Sequence, residues 1–382
     1  MNRLFKVLIT IILICSITVT AFAEAAPHSV GRELKYVSLG DSIAGGIGLP
    51  DSPLRGPDQP DKTKVFCSKT IGAYPALVAS ALGIRDENFT QLACAGMRSV
   101  ELRACIDPSY VIPDKYANNF TGNELEEWVT SRFDFRAKIK DADIITMNIC
   151  ANDIASYALF FVREALNGKG ISSPVIQAAI GYLEMGGEYT TALVKLLELS
   201  TKLGVYAEAA EAAVKGLYEG YTRWISNWDA IVGIIYKLNP DVTLVCVGMN
   251  NPFNHLKITQ DSLIEIGVVA DGIVASINYW SAIGSRYSDR YIYADIMGIE
   301  TICEEQGNTL TDSSFLNNFE LNVHPSVKGQ QQIADRIIGS LKCSGSPLYA
   351  LLNAPIKITG RSHINYYGSK LLTYVGNFLN MF

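Results

Sequence analysis

Five short apolar runs divide the chain, and glycine or polar residues follow most of them. The runs cover residues 36–40, 89–93, 143–149, 243–248 and 291–296. The third run is apolar on both faces, which is typical of a strand that is buried on both sides of a parallel sheet. Longer segments with helical periodicity separate the runs. Strands that alternate with helices indicate a parallel α/β sheet with helices on both faces, so we expect one domain of this class.

The segments between the runs predict helices. Their bounds are 73–82, 124–140, 206–237, 262–283 and 330–341, and residues 97–123 are expected to form a loop. A further helical segment, 155–205, follows the third strand and is interrupted by glycines. It either packs on the sheet or is an insertion that covers a pocket and forms its acyl-binding wall. For 206–237, packing on the sheet is the favoured interpretation.

The two ends of the chain carry further patterns. Arg3 and Lys6 precede an apolar run, and Ala21-Phe22-Ala23 then has the small-x-small form of a signal-peptidase site. The run is shorter than the ~20 residues that a membrane-spanning helix needs. We therefore expect a signal peptide at 1–23, secretion after cleavage near Ala23, a main domain at 24–345 and an accessory tail at 346–382. The apolar end of this tail, 371–382, is expected to pack on the protein rather than to attach weakly to a membrane or surface.

Composition excludes several classes of function. The chain of 382 residues is 48% hydrophobic and has a net charge of −6, without the basic stripe of a nucleic-acid-binding protein. Its four histidines lack metal-ligand spacing and no CxxC pair occurs, so we expect no metal site. The glycines at 45–48 match neither a dinucleotide-binding motif nor a P-loop, so no cofactor is expected.

Three strand ends and one late loop offer groups for acyl transfer. Ser42 follows the first strand, Gly96 the second and Asn152 the third, while His324 precedes the last helix. Open α/β sheets bind their ligands at the carboxyl ends of the strands. A serine needs a neighbouring base to become a nucleophile, and the reaction needs donors for the oxyanion that forms. We therefore expect Ser42 and His324 to be catalytic.

These residues and their order resemble the SGNH, or GDSL, superfamily of serine esterases and lipases. Gly40-Asp41-Ser42, Leu92 to Gly96, Cys150 to Asp153 and Val323-His324-Pro325 resemble its first, second, third and fifth blocks. The resemblance spans roughly residues 35–342. It implies a flavodoxin-like fold of three layers with a five-stranded parallel sheet. It also implies an oxyanion hole formed by the N–H groups of Ser42 and Gly96 and the side-chain amide of Asn152.

The chain departs from the family pattern at two positions. Cys150 stands where the third block usually has glycine, which brings the backbone path near Asn152 into question. Leu321 stands where the family usually has the aspartate that orients the histidine. Some secreted members rely on a Ser–His dyad, so the backbone carbonyl of Leu321 is the expected orienting group. Glu320, Asn322 and Asp295 are the side-chain alternatives.

The same secreted subgroup also suggests a disulfide. Its members pair the cysteines that correspond to Cys67 and Cys94, so a Cys67–Cys94 bond is the expectation that the resemblance implies. Cys303–Cys343 is a second candidate pair. Without Cys15, which lies in the signal segment, seven cysteines remain, so at least one is unpaired within the chain.

The sequence therefore predicts a secreted carboxylic ester hydrolase that acts on acyl or lipid esters through an acyl-enzyme on Ser42. Two alternatives stay open: an esterase that removes O-acetyl groups from carbohydrate, and a protein on the same fold that binds glycan or lipid without catalysis. The replacement of the usual aspartate by Leu321 keeps the last alternative open, because a fold does not by itself provide chemistry.

Overall fold

A computed structural model describes residues 33–50, 69–113, 134–170, 193, 196–197, 200, 203–251, 257–258, 261–302, 309–310 and 324–344. The predicted signal peptide, the predicted tail at 346–382 and residues 171–192 of the predicted insertion lie outside these ranges. The division of the chain at 23, 155–205 and 345 therefore stays a prediction.

All five apolar runs form strands of one parallel sheet. The strands are β1 (Tyr36–Gly40), β2 (Phe89–Gln91), β3 (Ile144–Asn148), β4 (Thr243–Val247) and β6 (Tyr291–Ala294), in the order β2-β1-β3-β4-β6. Neighbouring strands are parallel throughout, with Tyr36 opposite both Phe89 and Ile144. A small parallel pair, β5 (Lys257–Ile258) and β7 (Thr309–Leu310), was not predicted.

Eight helices connect and cover the strands within the described residues. They are α1 (Ser42–Gly45), α2 (Tyr74–Ala81), α3 (Ser99–Ile106), α4 (Phe135–Asp141), α5 (Ala151–Gly168), α6 (Tyr206–Leu238), α7 (Asp261–Ala282) and α8 (Val327–Cys343). The loop expected at 97–123 is wrong in its first part, where α3 forms. Arg98 directly precedes this short helix and Glu101 lies in its first turn, and both side chains are buried. A buried face that includes charged residues does not show in the hydrophobic pattern.

Alternate residues along each strand enter two separate cores. Val37, Leu39, Ile145 and Met147 pack on the face that α3, α4 and α6 cover. Tyr36, Ile144, Val245 and Val247 pack on the opposite face, against α2 and α8. Burial of apolar side chains on both faces contributes roughly 25 cal/mol per Å² and holds the three layers together. The predicted three-layer flavodoxin-like fold is confirmed.

Helices α5 and α6 lie closely together because α6 carries glycines at the contact. A Cβ atom at Gly216 would lie 2.5 Å from the Tyr157 carbonyl oxygen, and one at Gly220 would lie 2.5 Å from that of Asp153. The start of α5 is therefore fixed against α6. Of the helices that the structure describes, none is both long enough and apolar enough to cross a membrane.

Candidate active site

The four predicted site residues lie in segments that meet around the carboxyl edge of the sheet. The chain leaves β1 for β2 on one side and then crosses to β3 on the other side. The direction of the connections therefore reverses between β1 and β3, and open α/β sheets bind ligands at such a reversal. Ser42 follows β1 and Asn152 follows β3, so both flank this point.

Ser42 is the first residue of α1, and the turn that carries it is tightly fixed. The Asp41 carboxylate accepts a hydrogen bond from the Ile43 N–H at 3.0 Å, and the Asp41 N–H donates to the Asn148 carbonyl at 3.1 Å. Gly40 is required here, because a Cβ atom at this position would lie 2.5 Å from the Asn148 oxygen. The first N–H groups of a helix have no partner within it, and the Ser42 N–H bonds to none of the described residues. This group is therefore available to an oxyanion.

The Gly96 turn is hydrogen bonded to both of its neighbours at the sheet edge. The Cys94 N–H donates to the Gly40 carbonyl at 3.0 Å, just before Ser42. The Asn152 side-chain N–H donates to the Met97 carbonyl at 3.1 Å. Gly96 has a φ of 76°, in the left-handed region that favours glycine. Asn152 uses one of its two amide N–H groups in this bond, which leaves the other for a substrate oxygen.

A buried polar cluster supports Asn152 from behind. The Asp153 carboxylate accepts from the Ser99 N–H at 2.8 Å and from the Ser99 hydroxyl at 2.5 Å. Arg98 and Glu101, also buried, form an ion pair beside it. Burial raises the pKa of Asp153 to about 7, although the bonds from Ser99 and the charge of Arg98 oppose the shift. The cluster ties α3, and with it the Gly96 turn, to the start of α5.

Cys150 stands where the family pattern has glycine. Its φ is −179°, outside the left-handed region that favours glycine. Its side chain is buried, and burial raises the pKa of the thiol well above its usual range. A thiol held in its neutral form is a weak nucleophile. Cys150 therefore fits the site as a small apolar group.

His324 lies on a loop that bonds to the segment after β6. The His324 carbonyl accepts from the Ile302 N–H at 2.8 Å, and Ser326 donates from its N–H to the Glu300 carbonyl at 3.1 Å. His324 is 3% exposed and Ser42 is 7% exposed. Both residues are described, and no hydrogen bond joins them. Catalytic hydrogen bonds are often long in free enzymes and shorten in the complex with substrate, so this arrangement is compatible with a dyad.

Gln330, on the first turn of α8, connects the histidine segment with the serine turn. Its amide oxygen accepts from the Tyr74 N–H at 2.8 Å, and its amide nitrogen donates to the Ile43 carbonyl at 3.1 Å. Ile43 adjoins Ser42, and Gln330 lies six residues after His324. This fully buried side chain therefore fixes the position of the α8 start relative to the nucleophile turn.

Several predicted residues lie outside the described ranges. They are Leu321, Glu320 and Asn322 as orienting groups, and Cys67 and Cys303 as disulfide partners. Asp295 is described, and it accepts from the Met297 N–H at 2.9 Å within its own turn. Cys94 is buried and Cys343 is half-buried, and no disulfide joins two cysteines of the described part of the chain. Both pairings therefore stay predictions.

Sequence reasoning missed two residues that organise the site. One is Gln330, and the other is Asn148 at the end of β3, whose side-chain amide donates to the Gly248 carbonyl at 3.0 Å. Its own carbonyl holds Asp41. The signal for Asn148 was a side-chain amide at the end of a buried strand in which Thr146 is the other polar residue. For Gln330 the signal was a polar residue on the buried face of an amphipathic helix.

No protein-family model matches the chain, and no curated protein is significantly similar to it. Solved structures do match. An extracellular lipase from Streptomyces rimosus is 15% identical, with a TM-score of 0.42, over 80% of this chain and 99% of the lipase. Phospholipase A1 from Streptomyces albidoflavus NA297 is 16% identical, with a TM-score of 0.41, over 81% of this chain and 100% of the phospholipase.

A third match is a protein from Parabacteroides merdae ATCC 43184 described as a GDSL-like lipase. It is 12% identical, with a TM-score of 0.32, over 85% of this chain and 98% of its own length. At these identities and TM-scores the similarity carries no information on chemistry. The resemblance of this chain to the SGNH/GDSL hydrolases therefore rests on its sequence blocks.

Proposed function

We propose that this protein is a serine hydrolase of carboxylic esters, with Ser42 as the nucleophile and His324 as the general base. The observation that carries the proposal is the convergence of three βα turns at one edge of the sheet. This convergence places Ser42 beside the Gly96 turn and Asn152, through the Cys94–Gly40, Asn152–Met97 and Asp41–Asn148 hydrogen bonds.

The reaction follows from the roles of these groups. The Ser42 oxygen bonds to the ester carbonyl carbon while His324 takes the hydroxyl proton. The N–H groups of Ser42 and Gly96 and the free amide N–H of Asn152 donate to the oxyanion. The carbon–oxygen bond to the alcohol then breaks, and His324 returns the proton to the departing alcohol. Water hydrolyses the acyl-enzyme by the same steps, with His324 again as base.

We assign the orientation of the imidazole to the Leu321 carbonyl, as the resemblance implies. A backbone carbonyl accepts a hydrogen bond from the ring but carries no full charge. It therefore stabilises the imidazolium of the transition state less than a carboxylate does. We accordingly expect an enzyme that is active but slower than one with a complete triad. Secretion after removal of residues 1–23 belongs to the same proposal.

Hydrolysis of p-nitrophenyl acetate by the protein lacking residues 1–23 tests the proposal. The wild-type protein should hydrolyse this ester, and Ser42→Ala should reduce kcat/KM to the background rate. Ser109→Ala is the matched control, because Ser109 is exposed and bonds only to Asp107 of its own turn. A folded wild-type protein without activity on any carboxylic ester would favour the non-catalytic binding protein instead.

A further inference from the structure

The first turn of α5 carries Asn152, and helices α3 and α6 both contact this turn at the next residue, Asp153. The Asp153 carboxylate accepts hydrogen bonds from the Ser99 N–H at 2.8 Å and from the Ser99 hydroxyl at 2.5 Å, at the start of α3. The Asp153 backbone carbonyl lies against Gly220 of α6. Because Asn152 and Asp153 share a peptide group, both neighbours affect where the Asn152 amide lies.

Gly220 leaves no room between α6 and this turn. A Cβ atom at position 220 would lie 2.5 Å from the Asp153 carbonyl oxygen and 3.2 Å from the Cα atom of Ile154. Nonbonded carbon atoms pack at about 3.5–4.0 Å, so both contacts would be too short. The atoms that would be contacted belong to the backbone and cannot rotate aside as a side chain can. A methyl group at this position would therefore displace the start of α5.

The proposed oxyanion hole depends on donors that come from different segments. The Gly96 N–H belongs to the turn after β2 and the Asn152 amide belongs to α5, and the Asn152–Met97 bond at 3.1 Å joins the two segments. A donor acts on an oxyanion at about 2.7–3.1 Å, and a misplacement of about 1 Å can cost about 100-fold in rate. The oxyanion forms only during the reaction, so a shift of α5 should affect the transition state more than the binding of substrate.

We propose that Gly220 is a positioning residue of the oxyanion hole. It acts through Asn152 and not on the reacting atoms: the absence of a side chain lets α6 pack directly on the start of α5 and so sets the place of the Asn152 amide. Ser99 has the same role from α3, through the Asp153 carboxylate. The proposal rests on the proposed function, because it assumes that an ester attacked by Ser42 forms an oxyanion here.

Gly220→Ala tests the proposal, and Gly216→Ala is the matched control. Gly216 lies one turn earlier in α6, where a Cβ atom would lie 2.5 Å from both the Tyr157 carbonyl oxygen and the Ala158 Cα atom. The two substitutions thus add the same methyl group and equally short contacts, but Gly216 meets α5 further from Asn152. Denaturant unfolding should show similar losses of stability for the two variants.

The kinetics of the two variants should differ. With p-nitrophenyl acetate, kcat should fall by about 10-fold or more in Gly220→Ala and by less than about 3-fold in Gly216→Ala. Acylation and deacylation both pass through an oxyanion, so kcat reports on the hole whichever step is slower. KM should not change, since the affected interaction is made only in the transition state. Equal losses of kcat in the two variants would show a merely structural contact and overturn the proposal.

A double-mutant cycle with Asn152→Ala separates positioning from general damage. Loss of one oxyanion-hole donor costs about 10²–10³-fold in kcat, so the single variant should retain measurable activity. In the Asn152→Ala background, Gly220→Ala should lower kcat by less than about 2-fold, because no amide is left to misplace. A loss in that background as large as in the wild type would overturn the proposal.

Ser99→Ala keeps the test possible if Gly220→Ala does not fold. It removes the hydroxyl bond to Asp153 and leaves the N–H bond, so it loosens the turn instead of displacing it. Its kcat should fall several-fold at unchanged KM, and this loss should also disappear in the Asn152→Ala background. A wild-type kcat in Ser99→Ala would contradict the role of the Ser99–Asp153 bond.

Reaction with diisopropyl fluorophosphate separates this proposal from the proposed function. If Ser42 is modified and the wild-type protein hydrolyses the ester, but Gly220→Ala keeps the wild-type kcat, the positioning proposal fails and the proposed function stands. If the folded wild-type protein is neither modified nor active on any ester, the proposed function fails and the positioning proposal falls with it.

Discussion

The two halves of the candidate site are fixed by different kinds of structure. The serine half consists of consecutive βα turns, and backbone hydrogen bonds between neighbouring strand ends join Ser42, the Gly96 turn and Asn152. The histidine half arrives much later in the chain. It bonds to the segment after β6 and reaches the serine turn through Gln330, which is 287 residues away from Ile43. The sheet therefore determines the first half, whereas a few long-range contacts determine the second.

The largest effect should come from removing the groups that couple the two halves chemically. A general base contributes about 10²–10⁴-fold to the rate, so His324→Ala should reduce kcat/KM for p-nitrophenyl acetate by such a factor. The double variant Ser42→Ala with His324→Ala should be no slower than the slower single variant, because residues that act as a unit are not additive. Steady-state kinetics on all three variants checks this. Multiplicative losses would show that the two residues act independently.

The structural link between the halves should be the next most sensitive point. Gln330→Ala leaves the Tyr74 N–H without its partner in the core and removes one of the two hydrogen bonds to the Ile43 carbonyl, which keeps only that from the Gly46 N–H. A buried group left unsatisfied costs about 1–3 kcal/mol. The free energy of unfolding should fall by at least this amount, and kcat should fall because the α8 start is no longer held against the serine turn. Denaturant unfolding and kinetics measure the two effects.

Gln331→Ala is the matched control for this variant. Gln331 is the next residue of the same helix, but it is exposed and bonds only to Asp335. Its replacement should change neither the free energy of unfolding nor kcat. If Gln330→Ala behaves in the same way as Gln331→Ala, the Gln330 side chain does not hold the serine half and the histidine half of the site together.

Within the serine half, Asp153 should make stability depend on pH. Its native pKa of about 7 lies above its ordinary value, so the native state keeps a proton that the unfolded chain loses from about pH 4 upwards. The free energy of unfolding should therefore fall as the pH rises from about 4 to 7, by up to about 1.4 kcal/mol per pH unit, and this contribution should level off above pH 7.

Asp153→Asn should remove this contribution, since an amide does not titrate. The measurement is urea unfolding of both proteins at several pH values. The difference between their free energies of unfolding should change between pH 4 and 7 and be constant above it. A difference that is independent of pH would show that Asp153 is charged in the native state throughout.

The smallest effect concerns Cys150, which lies beside the oxyanion donor. Its buried thiol, with a raised pKa, should react with iodoacetamide at neutral pH much more slowly than the half-buried Cys343 in the same reduced protein. Peptide mapping after limited alkylation compares the two directly. Faster alkylation of Cys150 would identify a reactive thiol next to Ser42.

The sequence predicts the sheet and the serine half of the site well, because both depend on residues that are close together in the chain. Each strand is a short apolar run, and each site residue follows a run directly, so the parallel sheet alone brings Ser42, Gly96 and Asn152 to one edge. The predicted ends of the five strands and of helices α2, α6, α7 and α8 differ from the observed ends by three residues at most.

What could not be predicted depends on contacts between distant segments. Helix α3 was missed because its Arg98–Glu101 pair is buried, and charged residues are seldom buried unless they are paired. The role of Gln330 depends on where α8 packs against α2 and α1.

The most direct test of the account is covalent modification by diisopropyl fluorophosphate. It shows which residue reacts and whether the reaction requires His324. Intact-mass measurement should show one added diisopropyl phosphoryl group, and peptide mapping should place it on Ser42. The reaction should be lost in Ser42→Ala and strongly slowed in His324→Ala. Modification at another residue, or equal rates for wild type and His324→Ala, would contradict an activated Ser42–His324 pair.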